Sequence, residues 1–157
     1  RFITRFADVV KIPEPHLVPV NLNDLVFSCK RFMEGMCADR NITITLDIDE
    51  ELGEVKLDVA LFEQVLVNII KNAAESIEQN GEIKIRTYSP GGIEVADNGK
   101  GITKETEAKL FSPFFSTKPN GQGIGLIFIR EVLMRHGCSF SLRTYTDGWT
   151  RFRMLFN

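Results

Sequence analysis

Three groups of residues in this chain could do chemistry. The first is a pair of amides, Asn68 and Asn72, in the stretch EQVLVNIIKNAAESI at residues 63–77. Placed at roughly 100° per residue, Phe62, Val65, Leu66, Ile69, Ile70, Ala73 and Ile77 fall on one side of a helix. Gln64, Asn68, Lys71, Asn72 and Glu75 gather within roughly 100° on the other. Asparagine is a mediocre helix former because its short amide competes for backbone hydrogen bonds. Two of them one turn apart are either indifferent members of a solvated face or two hard oxygens aimed at a ligand or a metal. The helix alone leaves both readings open. The second group is Asp97-Asn98-Gly99-Lys100-Gly101-Ile102, an acid at a strand end followed by glycines that allow close backbone approach to a ligand. The third is Gly121-Gln122-Gly123-Ile124-Gly125-Leu126, which runs straight into IFIREVLMRHG. A glycine-rich turn entering a helix presents unpaired N–H groups and the positive end of the helix dipole, which suits a phosphate.

Several familiar chemistries fail on paper. A calcium-binding EF-hand loop needs oxygen side chains at its third and fifth positions, where this chain has Gly99 and Gly101. The Walker pattern G-x-x-x-x-G-K-[ST] does not occur. The triple-glycine run is not G-x-G-x-x-G and no strand feeds it directly, so a dinucleotide-binding fold drops out. Cys29, Cys37 and Cys138 lack metal-ligand spacing, and with His16 and His136 as the two histidines a zinc site is not expected. Sparse, odd cysteines suit a reducing compartment. A net charge of −2 with interspersed signs argues against a nucleic-acid partner. No apolar run reaches the length of a membrane span.

The elements that must hold these groups follow from periodicity. With 157 residues, 43% of them hydrophobic, the chain can bury one sizeable core. Residues 1–11, RFITRFADVVK, have helical spacing, and Pro13 and Pro15 then stop the helix. They are expected to be the tail of an upstream helix, with 12–20 a stiff linker and the chain a piece of a longer protein. Asn21 and Asn23 are candidate N-caps for a helix over about 24–38, with Leu25, Val26, Cys29, Phe32, Met33 and Met36 as its buried stripe. NITITLDID alternates as a half-buried strand. Residues 54–57 form a short segment leading to Asp58, an N-cap for the Asn68 helix. EIKIRTY and GIEVA read as strands joined at Ser89-Pro90-Gly91, and a last hairpin turns at Asp147-Gly148. Gly137 is a natural C-cap for the helix after the third glycine motif. His136, in that helix's last turn, is expected to be structural, where a cation is favoured. Residues 104–109 suit one or two helical turns.

In order, N-x-x-x-N-A, D-x-G-x-G-I, L-F-x-P-F-F-S-T-K at 110–118, G-x-G-x-G-L and G-x-T-x-F at 148–152 resemble the catalytic, ATP-binding domain of sensor histidine kinases. The likeness is closest to the short-lid, nitrogen-regulation-type branch and spans about residues 21–156. The departures are small: Gln122 stands for the usual Thr, Ile124 for Leu, and no proline closes the final strand. The resemblance implies an α/β two-layer sandwich, one mixed, mainly antiparallel sheet of about five strands with three main helices on one face.

It further implies that residues 21–157 bind ATP with Mg²⁺. Asn72 would hold the ion through its side-chain oxygen, with Asn68 beside it on the phosphates. Mg²⁺ takes hard oxygens and keeps several waters, so one amide plus phosphates is sufficient. Asp97 would accept from the adenine amino group, with Gly99, Gly101 and Ile102 beside the base and Thr150 from the closing motif. Gly121, Gly123, Ile124, Gly125 and Leu126 would cradle the phosphates. Phe114 and Phe115 would anchor a lid over 102–120, and Lys118, with Lys71 as a lesser candidate, would be a point charge near the γ-phosphate. The phosphoryl acceptor would be a histidine on a separate dimerisation domain, since His16 sits among prolines and His136 closes a helix. A response regulator receiver domain would be the later partner, and the parent protein a homodimer. The resemblance implies a cytoplasmic domain and leaves open whether the parent is anchored in the inner membrane. Two other readings remain: an ATPase of the gyrase- or MutL-like branch, which carries a glutamate base at the place of Asn68, and a degenerate domain used for protein contacts.

Overall fold

A computed structural model describes residues 12–110 and 123–157. Its centre is a five-stranded sheet in the order β2-β4-β5-β7-β6, built from Ile42–Asp47, Gly81–Tyr88, Gly92–Asp97, Thr150–Leu155 and Ser139–Thr144. β2 and β4 are parallel and the remaining pairs antiparallel, so the sheet is mixed and mainly antiparallel as expected. A separate pair joins β1 (Val18–Asn21) to β3 (Glu54–Leu57). Part of the stretch expected to be a linker is therefore a strand, and Ile12 ahead of it is buried. Pro19 does not stop β1, because it sits on a two-stranded ribbon where a missing N–H costs little.

Three longer helices, α1 (Leu22–Asp39), α2 (Val59–Ile77) and α4 (Gly123–Arg135), cover the sheet, and α3 (Lys104–Lys109) packs at the β6 edge. α1 is capped by Asn21, whose side chain accepts from Asp24 N–H at 3.0 Å. Asn23 is instead buried, donating to the Asp49 carbonyl and accepting from the Thr87 hydroxyl. Phe32, expected in the buried stripe, is 74% exposed, and Leu22 and Cys37 take its place. At 100° per residue Phe32 lies about 80° from Leu22, roughly 20° beyond Leu25 at the margin of the buried stripe.

Alternation sets the core. Ile42, Ile44, Ile83, Ile85, Ile93, Val95, Phe152 and Met154 are all buried, and register places them in cross-strand rows on the helix-covered face. The other face carries Lys84 stacked over Trp149, Arg86 over Tyr88, and Arg151 and Arg153 over Tyr145. There Arg153 holds Glu94 at 2.8 Å. Among the described residues no helix is long and apolar enough to cross a membrane.

Candidate functional site

The site begins with α2. Asp58 caps it: Oδ1 accepts from Leu61 N–H at 3.0 Å, while Oδ2 accepts from His16 N–H at 2.8 Å. Those two donors, His16 first, hold the Asp58 carboxyl below its usual range. The Asp58 N–H in turn donates to His136 Nε2 at 3.0 Å, and His136 Nδ1 lies 2.8 Å from the Val132 carbonyl. His136 is therefore structural, as expected, but it works as an acceptor. Its Nδ1–H donates and Nε2 receives, which is the neutral imidazole rather than a helix-terminal cation. It ties the end of α4 to the start of α2. Gly137, with φ of +70°, ends α4, and Cys138 N–H returns to the Leu133 carbonyl at 3.0 Å, the Schellman closure.

The inner side of α2 buries Phe62, Val65, Leu66, Ile69, Ile70, Ala73 and Ala74. Asn68, Asn72 and Ser76 are half-buried and follow one line at four-residue intervals, while Lys71 is exposed. That line ends against the Asp97 loop. Lys100 N–H donates to the Ser76 carbonyl at 3.2 Å. A Cβ on Gly99 would lie 2.7 Å from Ser76 C and 2.8 Å from Ile77 N. Gly99 thus lets the loop seat on the helix backbone, a packing reason beyond any approach to a base. Counting back along α2 at 1.5 Å per residue, Asn72 stands about 6 Å and Asn68 about 12 Å from Ser76.

Asp97 is the last residue of β5 and points to the helix-covered side, 6% exposed. Its Oδ1 accepts from Gly99 N–H at 2.9 Å, and Oδ2 meets no donor among the described residues. Burial outweighs that one hydrogen bond and pushes its pKa from 3.8 up to about 6. Thr150, also buried, is its cross-strand partner on β7, and Thr144 pairs with Thr150 on β6. The row Asp97–Thr150–Thr144 is a polar patch on the helix-covered face. Thr144 Oγ1 lies 2.7 Å from Thr150 Oγ1 and accepts Ile102 N–H at 2.8 Å. Gly101, with φ of +79°, lets the chain turn there.

The expected site residues divide accordingly. The structure brings Asp97, Gly99, Gly101, Ile102 and Thr150 together at one end of α2, from which the line of Asn72 and Asn68 leads away. Gly123, Ile124 and Gly125 open α4, which packs beside α2, and Leu126 is half-buried against the core. Phe114, Phe115, Lys118 and Gly121 lie outside the described residues, as does most of the expected lid. Thr144, Ser76 and Glu107 were not singled out in the sequence. Only Thr144 left a signal there, as the residue opposite Thr150 once a hairpin is drawn around Asp147-Gly148.

Among the described residues no cluster of three or more His, Cys, Asp or Glu side chains could hold a metal. A magnesium ion shared with phosphates needs no such cluster, and a half-buried amide on the α2 line is a fitting oxygen donor for it.

Comparisons with known proteins agree with this geometry. Residues 57–157 match the family described as histidine kinase-, DNA gyrase B-, and HSP90-like ATPase. The signal transduction histidine-protein kinase AtoS of Escherichia coli (strain K12) is 34% identical over 121 residues, 74% of this chain and 20% of AtoS. Sensor histidine kinase ZraS of Salmonella typhimurium is 28% identical over 148 residues, 92% of this chain and 32% of ZraS. The chain thus spans about a third or less of these relatives. The solved catalytic domain of histidine kinase ThkA superposes with a TM-score of 0.80 at 30% identity, covering 90% of this chain and 95% of that one. ThkA has also been solved with response regulator protein TrrA, with a TM-score of 0.75, 27% identity and coverage of 99% and 46%. A family model over residues 57–157, a relative at 34% identity over 74% of this chain and a solved catalytic domain at 30% identity all point the same way: the chain belongs to the histidine kinase-, DNA gyrase B- and HSP90-like ATPase family, among the catalytic domains of histidine kinases.

Proposed function

We propose that this chain binds Mg-ATP and presents the γ-phosphate to a histidine on a separate dimerisation domain, residues 21–157 being the catalytic unit. The observation that carries this is Asp97. A carboxylate 6% exposed, with one amide donor and a raised pKa, costs the fold stability unless a ligand supplies a second donor. An adenine amino group is such a donor, and Thr150 stands beside it to take a ring nitrogen. Asn68 and Asn72 then reach the phosphates along α2. A magnesium ion there would neutralise phosphate charge, and Asn72 would hold it by its side-chain oxygen. Gly123 and Gly125 at the start of α4 would offer N–H groups to the same phosphates. Phosphoryl transfer needs such positioning and charge neutralisation more than covalent chemistry from the protein.

The pairing of ThkA with a response regulator supports a receiver domain as the onward partner. A homodimeric parent and the short-lid, nitrogen-regulation-type branch complete the reading. Asn68 is the position at which the gyrase- or MutL-like alternative would need a carboxylate base. An amide cannot take a proton from water, and general-base help is worth about 10²–10⁴-fold, so slow turnover is expected from the chain alone.

The test is calorimetric titration with ATP, with and without Mg²⁺, on the native chain and on Asn72→Ala, with phosphate release followed in parallel. Binding strengthened by Mg²⁺ in the native chain but not in Asn72→Ala, with little release, supports the proposal. No binding of any adenine nucleotide would leave a contact module. Rapid phosphate release abolished by Asn68→Ala would move the chain to the ATPase branch.

A further inference from the structure

We infer that Thr144 is a positioning residue that couples occupancy of the base pocket to the segment at residues 102–110. The inference rests on the nucleotide-binding reading above and extends it to a residue outside every motif.

Thr144 ends the edge strand β6 and joins three parts of the molecule. Its backbone N–H donates to Glu107 Oε2 on α3 at 3.0 Å. Its hydroxyl oxygen accepts the Ile102 N–H at 2.8 Å and lies 2.7 Å from the Thr150 hydroxyl. Its Oγ1 and Cγ2 also sit where a Cβ on Gly101 would come within 3.1 and 3.2 Å, so the turn into Ile102 is moulded onto this side chain. The α3 carboxylate of Glu107 is itself mostly covered, 14% exposed, with Lys104 3.7 Å away.

A hydroxyl that receives one N–H has one proton to give. The Thr144–Thr150 hydrogen bond can run either way; when an acceptor beside Asp97 takes the Thr150 proton, the Thr144 proton turns to Thr150 Oγ1 while the Ile102 N–H stays on Thr144 Oγ1. The chain runs from Ile102 N–H through Thr144 and Thr150 to whatever accepts in the pocket. Hydrogen bonds in such a chain polarise one another, so an acceptor nitrogen on a bound base strengthens the link to Ile102. Without an acceptor the Thr150 proton can turn back to Thr144, which leaves the hold on Ile102 weaker. The coupling depends on the base and not on phosphates, because no phosphate-facing residue belongs to the chain.

Adenosine separates the two, since it carries the base without phosphates. In the native chain, saturating adenosine is expected to slow amide hydrogen exchange at Ile102 and through residues 104–110. Thr144→Val keeps the branched shape against Gly101 and removes the hydroxyl. It should bind ATP about fivefold more weakly, the factor for one neutral hydrogen bond, and show no adenosine-dependent protection of 102–110. Thr144→Ser should restore both. Thr144→Val with native affinity and native protection overturns the inference. So does Thr144→Ser behaving like the valine variant, which would make the role one of packing. If the valine variant does not fold, the native chain decides: adenosine that binds without slowing Ile102 exchange overturns the inference. A native chain that binds neither adenosine nor ATP overturns the nucleotide reading, and this inference with it.

Discussion

Replacing Asp97 by Asn should stabilise the empty protein while weakening its hold on ATP. The ionised Asp97 carboxyl sits 6% exposed with Gly99 N–H on Oδ1, and burial raises its pKa from 3.8 to about 6. A raised carboxyl pKa means that the folded chain binds the proton more tightly than the unfolded one. Stability from this group is therefore fullest below 3.8, declines as pH rises toward about 6, and stays low above it. The difference of roughly 2 pH units, at 1.36 kcal/mol each, amounts to about 3 kcal/mol at pH 8. Asparagine cannot ionise, and its oxygen can still accept from Gly99. Its NH₂ group then needs a partner of its own, which returns about 1 kcal/mol, so a net gain of about 1–2 kcal/mol is expected at pH 8. Near pH 4 the gain should vanish. The same change spoils the proposed contact with adenine. With the amide oxygen on Gly99 N–H, the NH₂ meets the adenine amino group, donor against donor; flipped, the NH₂ meets Gly99 N–H instead. ATP binding should fall by about ten- to a hundredfold, which is the loss of one charge-assisted hydrogen bond. Urea denaturation of both chains at pH 4, 6 and 8 reads the stability difference, and calorimetry at pH 8 reads the affinity. Parallel pH profiles for the two chains, or an Asn variant less stable than the native chain at pH 8, would refute the burial reasoning. Native ATP affinity should also drop as pH falls through about 6, and the Asn variant should lack that drop.

Gly99→Ala should cost about 1–3 kcal/mol in urea denaturation and weaken ATP binding as well, because the new methyl would press on the backbone of Ser76 and Ile77; an unchanged midpoint would show that the loop seats elsewhere. His136→Phe retains a ring against Phe62 and Phe156 but leaves Asp58 N–H without its acceptor, so a loss of about 1–3 kcal/mol is expected with an unchanged denaturant slope. A loss smaller than experimental error would mean that water replaces the imidazole.

The sequence by itself determined most of the elements and marked the candidate motifs, since both are local. The 3.6-residue period of α2 separates Ile69 and Ile70 from Asn68 and Asn72 before any fold exists, and the two-residue period of β2 and β4 marks their buried sides. Asp58 and Gly137 carry cap chemistry that a neighbouring residue or two suffices to reveal. Tertiary structure decided everything that joins distant segments. Val18–Asn21 looks like a connector because its partner, Glu54–Leu57, comes 33 or more residues later. Phe32 reads as core until the packing of α1 turns it outward. His136 reads as a helix-end cation until Asp58, 78 residues away, supplies a donor and makes it an acceptor. Thr144 belongs to no motif, and a hairpin drawn around Asp147-Gly148 places it opposite Thr150 without giving it a role. Its role exists because strand register sets it beside Thr150, and because a glycine turn 42 residues earlier delivers the Ile102 N–H to its hydroxyl. Hydrogen-bond direction and desolvation are properties of the assembled surroundings, so no window of sequence contains them.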